Sequence, residues 1–521
     1  MTSDSNPAAV SAPKPSSVRN PRTEARIAIL LIVYGAIVMV TNPWFTQVDD
    51  ECAIIAVAAR PVRETANTFL SGGEQHEHPP LSDLVLHGWL RLTNGNIHLL
   101  RLPSVVFYIL GAWFLLQAAR RLAGDRARNC TLVLILLWPY GFHLARLAGW
   151  YSFTFLLVSL LTLAYLKYLE QPSLGSWMPV ALCALALVYS NYFGWALIGL
   201  LGLDLLLRFW RNARTWILLF ATGIFLIVAT VPIIPAFFTE LHARSEPTHS
   251  GSAIAMGIYN LYCLIVSESV APWIWVPAIA AGLAIACAML LVLLCSQPPA
   301  RRFFLYFAVL FAVMTFIQIG NTKRLLMISP WLILSVGVTL ATATLPSVRR
   351  WLAASLALAG AIGWYGIFAR NLYAAPRWVE PWNQVARQAA EVAGSGGIVI
   401  GNNPSFFFYL TYLMPSTNPA TQGEFAGLQP STLHAPNVYT PLRWVAAGSP
   451  TSQTVVLFDG LSYDEPGPPM EEIRATLNTR CKAIGEQRLV PDNGAKWKQR
   501  YQPATGQRAW RIEISTYSCS P

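Results

Sequence analysis

Apolar residues come in long blocks over the first 370 or so positions, with polar residues confined mostly to the connectors between them. The blocks lie at about 27–44, 100–119, 130–145, 151–169, 177–190, 193–207, 215–236, 272–295, 303–319, 325–345 and 351–369. A helix needs roughly 20 apolar residues to cross the hydrocarbon of a bilayer. The pattern therefore predicts an α-helical polytopic membrane protein with about 11 transmembrane helices. The stretch 177–207 reads as one long span or as two short ones broken at Tyr189–Phe193. Two are preferred, because they keep Arg208, Arg211 and Arg214 on the same side as the other basic connectors.

The pattern changes twice. Residues 1–25 are rich in Ser, Pro, Asn and Ala and read as a disordered cytoplasmic tail, with no short apolar core of a secretory signal. From 371 to 521 the chain turns polar, with short apolar runs at 397–400 and 455–458 between turn residues and a helical stretch at 381–393. This predicts a soluble α/β domain. Between them, 26–370 forms the transmembrane domain. Its large loops are 45–99 and 237–271, the second with Pro247, Gly251 and an interfacial helix. No internal repeat is evident.

Composition narrows the class. Charged residues make up 12% and apolar ones 54%, and the mean hydropathy is +0.43. The charged share is about half the usual one, which excludes a disordered chain and an ordinary soluble enzyme. The net charge of +11 points to no nucleic acid, because membrane proteins gather Lys and Arg in cytoplasmic loops. With the N-terminus inside, the inner segments carry 16 Lys and Arg, and the short outer turns carry only Arg146, Lys323 and Arg324. The expectation is a multi-pass plasma (inner) membrane protein whose chemistry and 371–521 domain are extracytoplasmic.

The spans hold almost no ionisable groups, which weighs against ion-coupled transport. The acids gather in the first outer loop instead, as Asp49-Asp50-Glu51 and as Glu74-Gln-His-Glu-His78. Asp49 reads as a helix cap for the run Cys52–Ala59, and a capped helix would hold Asp50 in a fixed place as a base. The four potential ligands at 74–78, two Glu and two His, suggest a metal, but Pro79-Pro80 stiffens the chain behind them, and His78 reads equally as an anion contact. Arg101 reads as a snorkelling cation or a phosphate contact. Arg146, Lys323 and Arg324 run against the positive-inside trend, and a phosphate or lipid headgroup on the outer face would account for them. Among 19 Trp and 19 Tyr most are belt and core, and some suit a sugar site.

The residues Asp50-Glu51, His78-Pro79-Pro80-Leu81, Leu86-His87-Gly88-Trp89 and Arg101-Leu102-Pro103-Ser104 resemble glycosyltransferase family 39 in order and spacing. Looser matches are Tyr151-Ser152, Lys323-Arg324-Leu325-Leu326 before Pro330, and Glu380-Pro-Trp-Asn383. The resemblance implies the C-type glycosyltransferase fold of protein O-mannosyltransferases and aminoarabinose transferases. It implies a polyprenyl-phosphate-sugar lipid as donor, a glycan, lipid or protein hydroxyl as acceptor, and inverting transfer on the outer face among membrane lipids. Asp50 would be the base with Glu51 assisting. His78, Arg101, Arg146, Tyr151, Lys323 and Arg324 would meet the donor. Two departures stand out. Gly149 occupies a position where relatives often have Arg, with Arg146 the nearest substitute, and the segment 189–192 lacks a His that relatives often carry.

Other classes stay open at this level: a sugar-lipid flippase, a non-catalytic scaffold, or a relative with a diphosphate donor and a divalent metal. The expected cofactor set is none certain, with a divalent metal as an open alternative. Cys481 and Cys519 both fall in the outer domain beside predicted strands, which suggests a disulfide. Cys52, in a helix at the membrane surface, is the less favoured partner for either.

Overall fold

Leu, Ile, Val and Ala dominate each of the predicted segments, and each is mainly helical over its described residues in the computed structural model. It describes residues 20–42, 49–71, 78–243, 252–269, 275–317, 322–368, 382–403, 406–407, 409–410, 437–450, 452–460, 470–489 and 512–519. Of the expected disordered tail 1–25, residues 1–19 lie outside them, while residues 21–25 are helical, in the first turns of the helix Pro21–Val40 that Asn20 caps. The helices are α1 (Pro21–Val40), α2 (Asp49–Ala59), α3 (Val62–Ser71), α4 (Leu81–Thr93), α5 (Leu102–Leu137), α6 (Pro139–Leu144), α7 (Trp150–Glu170) and α8 (Leu174–Val188). They continue with α9 (Gly194–Arg208), α10 (Ala213–Thr230), α11 (Ile234–Ala243), α12 (Ala253–Val266), α13 (Trp275–Cys295), α14 (Pro298–Phe316), α15 (Ser329–Thr342), α16 (Pro346–Phe368) and α17 (Trp382–Gly394).

Seven stretches among the described residues are long and apolar enough to cross a bilayer. The difference from eleven has two sources. First, the expected span 100–119 and the first half of 130–145 share α5, which breaks at Ala123 and Gly124, the latter at φ 77°, and the rest of the second span is α6. The chain reverses there, because Arg101 before α5 and Ala148 after it both bond the Glu51 carboxylate. Second, α8, α9 and α15 are only 15, 15 and 14 residues long. The two-helix reading of 177–207 holds: the turn between α8 and α9 is closed by Asn191, whose Oδ1 accepts from Phe193 N at 2.8 Å. The expected span at 215–236 stays single, and α10 runs on through a 3₁₀ turn into α11, so the apolar stretch reaches Thr239. The expected interfacial helix of the second loop is α12, but its last turn, Tyr262 to Val266, is buried inside the bundle.

The two ends of the bundle carry separate polar clusters. At one, Arg120 and Arg128 meet the Glu24 carboxylate at 2.9 and 2.7 Å. At the other lie α2, α4, α6 and the turns 267–269 and 323–327. Small residues set the packing there. A Cβ on Gly363 would sit 2.7 Å from the Val266 carbonyl, and one on Gly366 would also meet backbone, so α16 closes directly on the end of α12.

The C-terminal unit is a five-stranded mixed sheet in the order β2-β1-β3-β5-β4. Its strands are β1 (Ile398–Gly401), β2 (Val438–Tyr439), β3 (Thr454–Asp459), β4 (Cys481–Leu489) and β5 (Ile512–Cys519). β1 is parallel to β2 and β3, and β5 is antiparallel to β3 and β4. Alternation divides β3 between two layers. Val456 and Phe458 pack with α17, while Val455 and Leu457 pack with Trp444, Ile473 and Leu477 on the opposite face. Both faces are therefore covered, as the α/β expectation requires. Cys481 and Cys519 are register partners in β4 and β5 and form a disulfide.

Candidate active site at one end of the bundle

The helix α2 opens with Asp49-Asp50-Glu51, so all three acids fall in its first turn, where the helix dipole favours negative charge. The helix is fixed from three directions. Glu51 is fully buried, and Arg101 donates to it twice, Nε to Oε1 at 3.0 Å and Nη2 to Oε2 at 2.5 Å. The backbone N–H of Ala148 donates to the same Oε1 at 2.8 Å. At the far end of α2, His87 Nδ1 donates to the Ala58 carbonyl at 2.8 Å. Ile55, Ala58 and Ala59 pack against Leu86, Leu90, Leu100 and Ala148. Thus the motif residues of α4 and Arg101 act as the clamp on α2. Arg101, expected as a phosphate contact or a snorkelling cation, is neither surface-exposed nor idle: its fork is engaged by Glu51 inside the protein.

The turn before α7 supplies the next wall. Gly149 has φ 134°, a conformation that L side chains rarely adopt, and a Cβ there would lie 2.8 Å from Ile54 Cδ1 on α2. This accounts for the missing Arg at 149. Arg146, three residues earlier, is fully buried, with its guanidinium carbon 4.8 Å from the Phe142 ring centre. The charges of Arg101 and Glu51 both act on it. His78 packs on Trp150, the first residue of α7, at 4.2 Å between ring centres. Tyr151 is buried beside it, 4.2 Å from Trp150.

A third wall comes from α6 and the turns 267–269 and 323–327, where only Lys323 and Arg324 stand out in the sequence. Ser267 is a buried non-glycine at φ 63°, and its Oγ lies 2.8 Å from His143 Nδ1. Beside it, Glu268 is buried and accepts from the Thr322 hydroxyl, while Tyr140 donates to the Thr322 carbonyl. Lys323 follows Thr322 and is buried, and Arg324 is half-buried. The charges of Glu268, Arg146, Arg101 and Lys323 all act on His143, so the three walls meet. The only signal for Glu268 in the sequence is a lone acid between two serines at the end of an apolar run.

Among the described residues this buried set carries three cations, Arg101, Arg146 and Lys323, and two carboxylates, Glu51 and Glu268. Three cations against two carboxylates make the place net positive, so it can hold an anion beside a carboxylate through charge-assisted hydrogen bonds. The side chains of Asp49 and Asp50 lie outside the described residues, as do residues 72–77 with His76. Among the described residues no group of three His, Cys, Asp or Glu is arranged to hold a metal. Two looser matches have other roles. Ser152 Oγ bonds the Ala145 carbonyl at 3.2 Å, and Trp382 is buried in the core of the sheet domain, while Glu380 lies outside the described residues.

No protein-family model and no curated protein matches the sequence. Solved structures do. ArnT from Cupriavidus metallidurans bound to undecaprenyl phosphate is 15% identical, with 94% of this chain and 97% of that chain covered at a TM-score of 0.54. The same protein in the apo state is 15% identical over 95% and 98%, also at 0.54. Arabinofuranosyltransferase AftD from mycobacteria is 15% identical, covering 97% of this chain but 40% of that one, at 0.48. The chain has the C-type glycosyltransferase fold, with a small sheet domain at its C-terminal end.

Proposed function

We propose that the chain is a membrane glycosyltransferase that moves a sugar from a polyprenyl-phosphate-sugar donor to a hydroxyl acceptor, with inversion, on the extracytoplasmic face. The observation that carries this reading is the acidic first turn of α2, clamped by Arg101 and the Ala148 N–H next to the buried cations Arg146 and Lys323. The fold likeness supports it, since ArnT was crystallised with undecaprenyl phosphate, a lipid of the donor's class.

In this mechanism the acceptor oxygen attacks the anomeric carbon and gives its proton to the Asp50 carboxylate. The anomeric C–O bond to phosphate breaks, and the electron pair leaves with the polyprenyl phosphate. That group is already weakly basic, so no acid is needed to protonate it. One base for the acceptor and cations for the departing charge suffice. Glycoside hydrolases differ, because their poor leaving group demands a second carboxylic acid. Arg146, Lys323 and Arg324 are assigned to the phosphate. Glu51 and Arg101 are assigned to holding Asp50 in place, and His78 with Tyr151 to the donor headgroup.

Asp50→Asn tests the assignment. It is nearly isosteric and removes only charge and basicity. Transfer of radiolabelled sugar from a polyprenyl-phosphate donor should fall by about 100- to 10,000-fold, while the folded protein elutes unchanged in detergent. Asp49→Asn should cost far less. Full activity in Asp50→Asn, or equal loss in both, removes Asp50 from the role.

A further inference from the structure

The membrane-embedded helices α7 to α10 enclose a cleft far from the acidic turn, and we infer that it binds an anionic phospholipid of the bilayer. One acyl chain lies in the cleft and the headgroup sits on the arginines of the α9–α10 turn.

The cleft holds about 340 Å³ and is walled almost wholly by apolar side chains, among them Leu161, Ile198, Leu205, Leu219 and Leu226. Glycines open it. Gly199, Gly202 and Gly223 line it, and a Cβ on Gly199 or Gly223 would meet nothing within 4 Å. Glycines in membrane helices usually bring neighbouring helices together. Here they leave a slot, because α10 stands away from α9. Of the α10 residues only Thr215, Leu226 and Thr230 are buried. A slot of this kind inside the hydrocarbon fits a flexible alkyl chain.

The headgroup follows from the charge at one mouth. The turn from α9 to α10 carries Arg208, Arg211 and Arg214, all exposed, beside the exposed Trp210. The Arg211 guanidinium stacks over Trp210 at 4.4 Å from the ring centre. Arg208 is held by Asp204 at 2.7 Å, and Asp204 also binds the Tyr165 hydroxyl, so the mouth has a fixed edge beside a cleft-lining residue. Tryptophan and arginine at this level mark the headgroup region, and a basic pocket between helices is complementary to an anionic lipid. The same Lys and Arg asymmetry puts this mouth at the cytoplasmic leaflet, on the opposite side from the proposed transfer site.

The test uses the full-length protein, delipidated in detergent, with native mass spectrometry of added phosphatidylglycerol or phosphatidylcholine of matched chains. Wild type should retain phosphatidylglycerol preferentially. Arg211→Gln with Arg214→Gln, both surface changes, should cut that preference by about ten- to thirtyfold, at roughly fivefold per cation. Gly223→Leu should reduce retention of both lipids by filling the slot. Equal retention of the two lipids by wild type overturns the proposal. So does unchanged preference in the double Arg variant. If polyprenyl phosphate displaces phosphatidylglycerol and Gly223→Leu abolishes that displacement, the slot belongs to the donor's tail and the proposal is also wrong.

Discussion

Glu51 and Arg101 stand 50 positions apart, and each is legible in the sequence only as an ionisable group on the outer side. Their pairing needs the fold: α5 must leave and return for Arg101 and Ala148 to reach one carboxylate. Asp83 is a sharper case. It lies in the first turn of α4, outside the spans, and burial alone pushes its carboxyl up to about 7. An unfolded Asp titrates near 3.9. Between about pH 4 and pH 7 the folded protein keeps a proton that the unfolded chain has lost. Stability therefore falls as pH rises through that window and levels off above it. Asp83→Asn should flatten this slope, raising the melting temperature at pH 8 relative to wild type more than at pH 4. A wild-type slope that survives the substitution assigns the titration to another group. Nothing in the residues around Asp83 announces this, because burial is a property of what packs on α4 and not of the local sequence.

At the level of elements, apolar runs mark where helices lie, but their joints depend on single residues. Gly124 at φ 77° breaks α5, and the polar stretch 120–129 between two apolar runs marks where the break falls but not which residue makes it. Gly149 shows the same economy at the site. Its φ of 134° and its contact with Ile54 join the start of α7 to α2. Gly149→Ala should destabilise the protein by about 1–3 kcal/mol from backbone strain. It should also push Ile54, and with it the acidic turn, so transfer activity should fall more than the fraction folded. Activity that simply follows the folded fraction would limit Gly149 to a backbone role. In sequence terms Gly149 reads as a lost arginine. The structure gives the glycine its own reason, and brings Arg146 into the buried cluster from three residues away.

At the scale of the whole molecule, the bundle and the sheet domain follow from different signals in the sequence. Blocks of apolar residues specify the first, and short runs between turn residues specify the second. The sheet order was not legible, because β5 pairs with both β3 and β4 across long separations. The two units touch where Tyr409 packs against the cluster of Ile55, Leu86 and Leu90, so the sheet domain leans on the helix that carries Asp50. That contact makes the location of the sheet domain a test of the location of the site. The disulfide Cys481–Cys519 closes a separation of 38 residues, which the chain-entropy account values at about 4 kcal/mol, and such bonds persist in oxidising compartments. Cys295, by contrast, is an exposed thiol at the end of α13, a few residues before Arg301 and Arg302 at the start of α14. A membrane-impermeant maleimide applied to intact cells should therefore miss Cys295 until the membrane is opened. It should reach Cys481 and Cys519 in intact cells, but only after a reductant. If Cys295 labels from outside, or if both domain cysteines need the membrane opened, the orientation is reversed and the proposed transfer would take place on the cytoplasmic face.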